Sequence, residues 1–231
     1  MIKKLRIYAL LWLIVFCRPP SSAQNTVVSD YLTRTGEYAG IYNGQIKTSY
    51  NPSFYDNNPF HKSPDFADAE IVYKGLSYPG QKAVLDLYEE QLILLSPQKH
   101  YGIIVDPGKV DKVFFKDETF IWLDKSNISK GFYRLLSEEK QLKLVFKERF
   151  ILNTTKILRH FDRETRYYLY YKERYYTVKN KKSFTNLFPQ YKKQINAFAK
   201  EQKLDFKNNA DRCLTLLADY CDTLLTSNNN P

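Results

Sequence analysis

Few residues in this sequence have the types and spacing that catalysis requires. The three histidines, His61, His100 and His160, stand far apart, and none belongs to an HExxH pair or to a paired-cysteine metal motif. The chain also lacks the GxSxG elbow of serine hydrolases and the Walker loop of nucleotide-binding proteins. We therefore interpret each histidine as a loop or surface residue, and we expect no metal and no cofactor.

Two Ser-x-x-Lys matches and one group of carboxylates are the other candidates for chemistry. Ser96-Pro-Gln-Lys99 and Ser137-Glu-Glu-Lys140 have the spacing of an acylated serine, which needs a helix so that the lysine amine reaches the hydroxyl. Both fall in turns between predicted strands. Asp86, Glu89 and Glu90 surround one predicted hairpin, where charge is common, whereas a glycosidase needs two carboxyl groups about 5 to 10 Å apart in a cleft. We expect none of them to be catalytic.

The amino terminus has the pattern of a secretory signal peptide. Three cations precede the apolar run at 7–17, and small residues at 21–23 permit cleavage before Gln24. The apolar run is shorter than the roughly 20 residues that span a bilayer core. We predict that residues 1–23 are removed and that 24–231 form a single exported domain, periplasmic or extracellular, without a transmembrane segment.

Positive charge is concentrated in the carboxyl-terminal part. Residues 24–139 hold 12 Lys and Arg against 16 Asp and Glu, whereas residues 140–212 hold 19 against 7. In a cytosolic protein, such a basic lobe with interleaved tyrosines would suit nucleic acid. An exported protein meets anionic headgroups, polysaccharides or acidic protein surfaces instead. We predict an anionic envelope component or an acidic protein as partner, and no nucleic acid; the alternative is a merely solvated face.

The segment "RYYLYYKERYYTVKN", at 166–180, places six tyrosines between Tyr167 and Tyr176. With Lys172-Glu173 as a two-residue turn, it predicts a hairpin in which Tyr170 opposes Tyr175. One face is then predicted to be core, and it carries Tyr167, Leu169, Tyr171, Tyr176 and Val178. The candidate binding surface lies on the other face and consists of Tyr168, Tyr170 and Tyr175, flanked by Arg166 and Lys179. The alternative is a tyrosine ladder that only stabilises the hairpin.

Short runs of strand-like residues dominate the region 37–179, after a lead-in at 24–36 that we expect to be weakly ordered. Asn43-Gly44 predicts a hairpin with a type I′ turn, and the proline-rich residues 51–69 predict a surface loop. From residue 70 onward, strand-like runs alternate with turn residues and no long helical pattern intervenes. In "QLKLVFKERF", at 141–150, the alternation predicts one packed and one solvated face.

The pattern changes to helical at 183–225. Ser183 can cap a short helix, and Pro189 suits the first position of a second helix. An asparagine at 208 or 209 can cap a third helix, in which apolar residues recur at intervals of three and four positions. Cys213 and Cys221 would lie about 12 Å apart along that last helix, too far for a disulfide. The tail 226–231 is expected to be disordered. The fold class predicted is mainly β (α+β): an antiparallel meander or curled sheet followed by a carboxyl-terminal pair of amphipathic helices.

Three segments resemble an uncharacterised family of exported proteins from Bacteroidota. They are "GFYRLL" at 131–136, "YYLYYKERYYTVKNKKSFTNLF" at 167–188 and "KKQINAFAKEQKLDFKNNADRCLTLLADYCD" at 192–222. The resemblance implies a signal peptide, a Tyr-Asn-Gly hairpin, many strands and a Lys-rich helical hairpin, but it implies no activity, cofactor or partner. The family often has Asp-Gly where this sequence has Lys172-Glu173.

These observations lead to two functional hypotheses from different classes. We predict a non-enzymatic, exported or envelope-associated binding or structural protein whose basic, tyrosine-bearing lobe contacts an anionic partner. The alternative is a hydrolase that acts on a cell-envelope polymer or peptide. An enzyme predicts a concave pocket with convergent side chains and shifted pKa values, whereas a binding module predicts a flat or grooved aromatic face. A carrier of apolar ligands would require a curled sheet around a large apolar cavity.

Overall fold

The computed structural model describes residues 39–154 and 157–227, together with five helical positions at 27, 30, 31, 34 and 35. The predicted signal peptide lies outside the described residues. Most of the predicted lead-in and the last four residues of the predicted tail lie outside them as well.

Ten strands form one antiparallel open sheet, which confirms the predicted mainly β fold. Two meanders, β1 to β4 and β5 to β10, join where β1 pairs with β5, so that the strand order is β10-β9-β8-β7-β6-β5-β1-β2-β3-β4. The strands are β1 Ala67–Tyr73, β2 Leu76–Asp86, β3 Gln91–Leu95, β4 Gly102–Ile104, β5 Val110–Phe115, β6 Glu118–Leu123, β7 Gly131–Glu138, β8 Lys143–Asn153, β9 His160–Tyr171 and β10 Arg174–Val178.

The sheet is strongly curled. Four strands separate β2 from β8, so in a flat sheet they would lie about 24 Å apart. Instead, the turn between β2 and β3 reaches β7 and β8: the Phe150 amide donates to the Leu87 carbonyl at 3.3 Å. The concave side of this curl encloses an apolar core that includes Ile71, Leu85 and Phe132.

A buried ion pair fastens the turn between β2 and β3 to the far side of the curl. Lys147 Nζ lies 2.5 Å from Glu90 Oε1 and donates to the Phe132 carbonyl at 3.0 Å. The Phe132 amide donates to Glu90 Oε2 at 2.8 Å. Burial raises the pKa of Glu90 and lowers that of Lys147, because an apolar environment disfavours both charges.

Strand β8 is covered on both faces, so the predicted solvated face is wrong. Val145 is fully buried and Lys147 is only 3% exposed. The strand pattern shows which residues share a face. It does not show that the turn at Glu90 and the loop 124–130 cover the charged face from distant parts of the chain.

The predicted hairpin at Asn43-Gly44 is also wrong. Gly40–Tyr42 form a 3-10 turn, and the chain then runs beside β4, where the Ile104 amide donates to the Gln45 carbonyl at 2.8 Å. A Cβ on Gly44 would lie 1.8 Å from the Ile104 carbonyl oxygen. Glycine is therefore needed here for a close approach between backbones, and not for a turn.

The loop predicted at 51–69 ends at β1, and it is packed against the sheet. It contains the 3-10 turn Pro52–Phe54. The ring of Tyr55 stacks on Phe161 at 5.1 Å between centroids, and the Asn57 side chain exchanges two hydrogen bonds with the Phe161 backbone at 2.8 and 2.9 Å. These contacts hold the segment across β9.

Three helices follow the sheet: α1 Lys181–Leu187, α2 Lys192–Glu201 and α3 Ala210–Ser227, with the 3-10 turn Pro189–Tyr191 before α2. Asn180 caps α1 by accepting from the Lys182 amide at 2.9 Å, so the predicted Ser183 cap is wrong. Asn209, as predicted, lies at the start of the last helix and accepts from the Arg212 amide at 3.4 Å.

The helices cover one face of the sheet and form a second apolar core with it. This core joins Leu144, Leu169 and Val178 of the strands to Ile195 and Leu217 of the helices. Cys213 and Cys221 are buried in α3 as free thiols. Burial raises the pKa of Cys221 to about 12, so its thiol stays protonated.

Gly131, at the start of β7, provides a test of the buried ion pair. Its φ is 148°, and a Cβ there would lie 2.2 Å from Glu90 Oε2 and 2.4 Å from Lys147 Nζ. We expect Gly131→Ala to lower the free energy of unfolding by about 3 kcal/mol, because it strains the backbone at a positive φ and also forces apart a buried pair of charges. Urea unfolding followed by circular dichroism measures this.

Gly75→Ala is the matched control. Its φ of 75° is also positive, and a Cβ on Gly75 meets no atom within 4 Å, so this substitution strains the backbone without a clash. Equal losses of stability in Gly131→Ala and Gly75→Ala would contradict the structural role given to the pair.

Candidate functional site

The tyrosine-rich hairpin has the predicted register. Strands β9 and β10 pair Tyr171 with Arg174 and Tyr170 with Tyr175, and the three further pairs also follow the prediction. Lys172 and Glu173 have φ values of 47° and 62°, the left-handed conformation that a type I′ turn requires. Here, two non-glycine residues adopt it.

The candidate tyrosines are more covered than an open surface requires. Tyr168 and Tyr175 are 8% and 7% exposed, and they pack in a small core with Tyr133 and Val145. The loop 124–130 covers them, since Asn127 Nδ2 donates to the Tyr175 carbonyl at 2.8 Å. Burial raises the pKa of Tyr175 to about 12.

The other three candidate residues are more accessible. Tyr170 is half-buried, with its ring centroid 4.9 Å from that of Tyr175, and Arg166 and Lys179 are exposed. The two predicted faces also differ in what covers them. The face predicted as core packs against the helices through Leu169 and Val178. The candidate face packs beneath a loop.

Two of the candidate residues, Arg166 and Tyr168, line a pocket of about 350 Å³ beneath that loop, which we call the loop pocket. Its roof consists of residues 126–129. On the sheet side, Lys147 of β8 lies opposite Arg166 of β9, and Val145 lies opposite Tyr168. The register of two adjacent strands therefore places cations from both on the same wall.

The loop pocket contains one cation in excess. Arg149 and Glu164 form an ion pair at 2.7 Å, and Lys147 is paired with Glu90. Arg166 forms no ion pair within the described part of the chain, and the Tyr168 hydroxyl has no hydrogen-bond partner there. A guanidinium and a hydroxyl without partners can both donate to an anion.

A second pocket, of about 650 Å³, opens between the loop 57–62, strands β6 to β9 and the start of α3, and we call it the His61 pocket. His61 Nε2 lies 2.8 Å from Glu118 Oε2, and His61 Nδ1 lies 3.5 Å from Glu148 Oε2. Lys62 also pairs with Glu118, and Arg163 pairs with Glu148. Glu118 is thus hydrogen-bonded to the imidazole, and Glu148 lies at ion-pair distance from its other nitrogen.

Arg134 extends this network to the helices. Its Nη1 donates to Glu118 at 2.9 Å and its Nη2 to Asp211 at 2.5 Å. The Tyr167 hydroxyl donates to the other oxygen of Asp211 at 2.6 Å. The pKa of Tyr167 is raised mainly by burial and, to a smaller extent, by this hydrogen bond. The network joins a loop, four strands and α3.

Two acids of the His61 pocket, Glu118 and Glu148, are held in their ionised form. Burial alone would raise the pKa of Glu118, but hydrogen bonds from Lys62 and His61 lower it to about 2. Burial is likewise outweighed at Glu148, whose pKa is lowered by His61 and Arg163. Carboxylates of this kind accept hydrogen bonds but do not donate protons near neutral pH.

Sequence patterns miss the His61 pocket almost entirely. Glu118 and Arg134 could be placed on one face from strand pairing, since Phe120 opposes Arg134. No local pattern brings His61 or Asp211 to them, because both come from elements that are distant in sequence. His61 lies in a loop as predicted, but its side chain is only 12% exposed.

The other chemical candidates have structural contacts. Ser96 is buried in a turn and accepts from the His100 amide at 3.2 Å, and Ser137 donates to Asp219 at 2.5 Å. Asp86 is fully buried; it pairs with Lys47 at 2.8 Å and accepts from the Tyr50 hydroxyl at 2.7 Å. Ser96 and Asp86 fasten a turn and the segment beside β4. Ser137 lies in β7 and not in the predicted turn, and it joins that strand to α3.

The chain matches no family model, no curated protein and no solved structure. Among the described residues, no helix is long and apolar enough to cross a bilayer. Over the same part of the chain, no three His, Cys, Asp or Glu side chains are arranged to hold a metal ion. The geometry of the two pockets is therefore the basis for any functional proposal.

The depressed pKa of Glu118 predicts a pH-dependent contribution to stability. A carboxyl with a folded pKa of about 2 contributes fully above its unfolded value, near 4.3, and the contribution disappears as pH falls through about 2. We expect Glu118→Gln to lower the free energy of unfolding by about 2 kcal/mol at pH 7, after allowance for solvent screening.

This difference between Glu118→Gln and the native protein should shrink steadily below pH 4. Urea unfolding at pH 7, 5 and 3 measures it, with Glu201→Gln as control, because Glu201 is exposed and lies outside the network. A difference that stays constant across these pH values would rule out the ionised network as its source.

Proposed function

We propose that this protein is an exported binding protein that holds an anionic group in the loop pocket. The observation that supports it most directly is the unpaired guanidinium of Arg166 beside the unpaired hydroxyl of Tyr168. A pocket of about 350 Å³ accommodates a carboxylate, sulfate or phosphate group of a larger envelope component. Export rests on the residues of the predicted signal peptide and on the resemblance to exported Bacteroidota proteins.

The surface charge supports the same proposal. Residues 166–212 contain twelve Lys and Arg and four Asp and Glu, and nearly all the cations are exposed. None of the twelve forms an ion pair within the residues described. The positive electrostatic field of these cations raises the association rate of an anionic partner, and added salt screens this field.

The arrangement of donors indicates how recognition would work. A guanidinium offers two parallel N–H groups that match the oxygens of a carboxylate or phosphate. The Tyr168 hydroxyl adds a donor on a rigid ring, held by its edge contact with Tyr133 at 5.9 Å between centroids. The Arg149–Glu164 pair beside them is neutral overall, so the net positive charge that the pocket offers to an anion comes from Arg166.

Titration calorimetry with acetate, sulfate and an anionic polysaccharide tests this proposal. We expect Arg166→Gln to weaken binding about tenfold and Tyr168→Phe about fivefold, because one loses a charged donor and the other a neutral donor. Arg174→Gln is the control, since Arg174 is exposed on the same hairpin and does not line the pocket.

Two outcomes would contradict the proposal. One is equal affinity of Arg166→Gln and the native protein for the anions. The other is equal weakening by Arg166→Gln and Arg174→Gln, which would leave only diffuse charge and no pocket.

A hydrolase is the second candidate, and the His61 pocket favours it. It is concave and brings one histidine and three carboxylates together, as an enzyme site requires. Against it, each acid is paired with a cation, and His61 Nδ1 is buried without a hydrogen-bond partner in the described structure. The pocket has the features of a structural ion network more than those of a proton-transfer site.

Incubation with envelope polysaccharides and peptides separates the two candidates. The binding proposal predicts no turnover by the native protein. An enzyme predicts turnover that falls at least about 100-fold in His61→Gln and is unchanged in His100→Gln, whose side chain is exposed outside the pocket. Turnover with that pattern would replace the binding proposal with a hydrolase.

A further inference from the structure

A separate cationic notch lies between the start of α1 and the end of α2, with a volume of about 400 Å³. Three lysines surround its apolar floor. The lysines are Lys181, Lys182 and Lys200, and the floor consists of Ala199, Leu204 and Phe206. The helices cover the opposite face of the sheet from the one that lines the loop pocket, so the notch is a different surface.

Local structure brings these residues together. Asn180 caps α1 and fixes Lys181 and Lys182 at its first turn. Helix α2 ends in a left-handed turn at Lys203, whose φ is 48°, and the Leu204 amide bonds back to the Ala199 carbonyl at 3.1 Å. That reversal places Leu204 beside Lys200.

The loop after α2 is fixed by its own side chains. Asp205 accepts from the Lys207 and Asn208 amides at 3.1 and 3.3 Å, which holds the chain in a tight turn around Phe206. Leu204 and Phe206 are half-buried, so part of each remains accessible. The apolar floor is therefore positioned by this turn and by the packing of Leu204 and Phe206 against the helical core.

The charge of the notch is not compensated. Residues 179–210 contain eight lysines against Glu201 and Asp205, and none of these lysines forms an ion pair in the described part of the chain. Three ammonium groups beside half-buried apolar side chains suit a ligand that is anionic at one point and apolar next to it. A compact phosphate meets the first requirement, and only an amphiphile meets both.

We propose that the notch binds the phosphate headgroup of an anionic phospholipid, and so docks the helical lobe on a membrane surface. Lys181, Lys182 and Lys200 contact the phosphate, while Leu204 and Phe206 contact the adjoining glycerol and first methylene groups. This inference goes beyond the loop pocket, because it names another surface and another partner. In this arrangement the helical lobe lies on the membrane surface.

Sedimentation with lipid vesicles tests the proposal. The vesicles contain phosphatidylcholine with about 30% phosphatidylglycerol, at about 0.1 M salt, and pure phosphatidylcholine is the reference. We expect the native protein to bind only the anionic vesicles. The triple variant Lys181→Gln, Lys182→Gln, Lys200→Gln should bind about 100-fold more weakly, because each lysine at an anionic surface contributes about fivefold.

A matched triple variant separates the notch from general charge. Lys192→Gln, Lys193→Gln, Lys203→Gln removes the same charge from exposed positions outside the notch, and it should reduce binding less than tenfold. Phe206→Ser should weaken vesicle binding while every lysine is retained. Circular dichroism shows whether each variant is folded.

Several results would overturn the proposal. Equal losses in the two triple variants would show diffuse attraction only, and competition by millimolar inorganic phosphate with no effect of Phe206→Ser would indicate a free phosphate as ligand. Loss of vesicle binding in Arg166→Gln, with the notch triple variant unaffected, would assign the lipid to the loop pocket. Conversely, if Arg166→Gln binds anions as tightly as the native protein does, the proposal for the loop pocket fails, but the proposal for the notch is not affected.

Discussion

The fold depends on one buried contact, the ion pair between Glu90 and Lys147. It joins a turn of the first meander to a strand of the second, and both partners also bond to the backbone of Phe132. A buried pair of this kind adds little net stability, because desolvation of two charges offsets much of their attraction. Its effect is on shape: the pair holds the turn between β2 and β3 against β7 and β8, and so helps to fix the curvature of the sheet.

That curvature determines where polar groups find partners. Inside the curl, the charges around His61 and Arg134 satisfy one another and connect the loop, the strands and α3. Outside it, Arg166 and the lysines of α1 and α2 have no such partners in the described structure. The same chain therefore combines a closed ionic network that stabilises the fold with open cationic surfaces that are available to a ligand.

Local features were predictable from the sequence, and features that depend on curvature were not. The register of the tyrosine hairpin follows from a two-residue turn and the alternation of side chains, and each of its five pairs is found as predicted. The coverage of Tyr168 and Tyr175 does not follow from it, because residues 124–130 fold over them from another hairpin. For the same reason, a strand with alternating lysines was expected to be solvated on one side, although Lys147 is buried.

The errors at Asn43-Gly44 and Ser183 have a related physical cause. Glycine permits both a tight turn and a close backbone contact, and only the position of β4 decides between them. Ser183 and Asn180 are both good caps, and the helix begins where the Asn180 side chain meets the Lys182 amide. The His61 pocket lay almost entirely beyond prediction, because its members come from a loop, four strands and a helix.

The two edges of the open sheet are protected in different ways. At one edge, β4 has only three residues, and the chain around Gln45 and Lys47 bonds to it on its outer side. At the other edge, Asn127 occupies the Tyr175 carbonyl of β10, and Arg174 and Lys179 place charge at the ends of the strand. Exposed edges invite strand-by-strand polymerisation, and short, covered or charged edges prevent it. Both edges of the open sheet are therefore protected against such pairing, although the sheet does not close on itself.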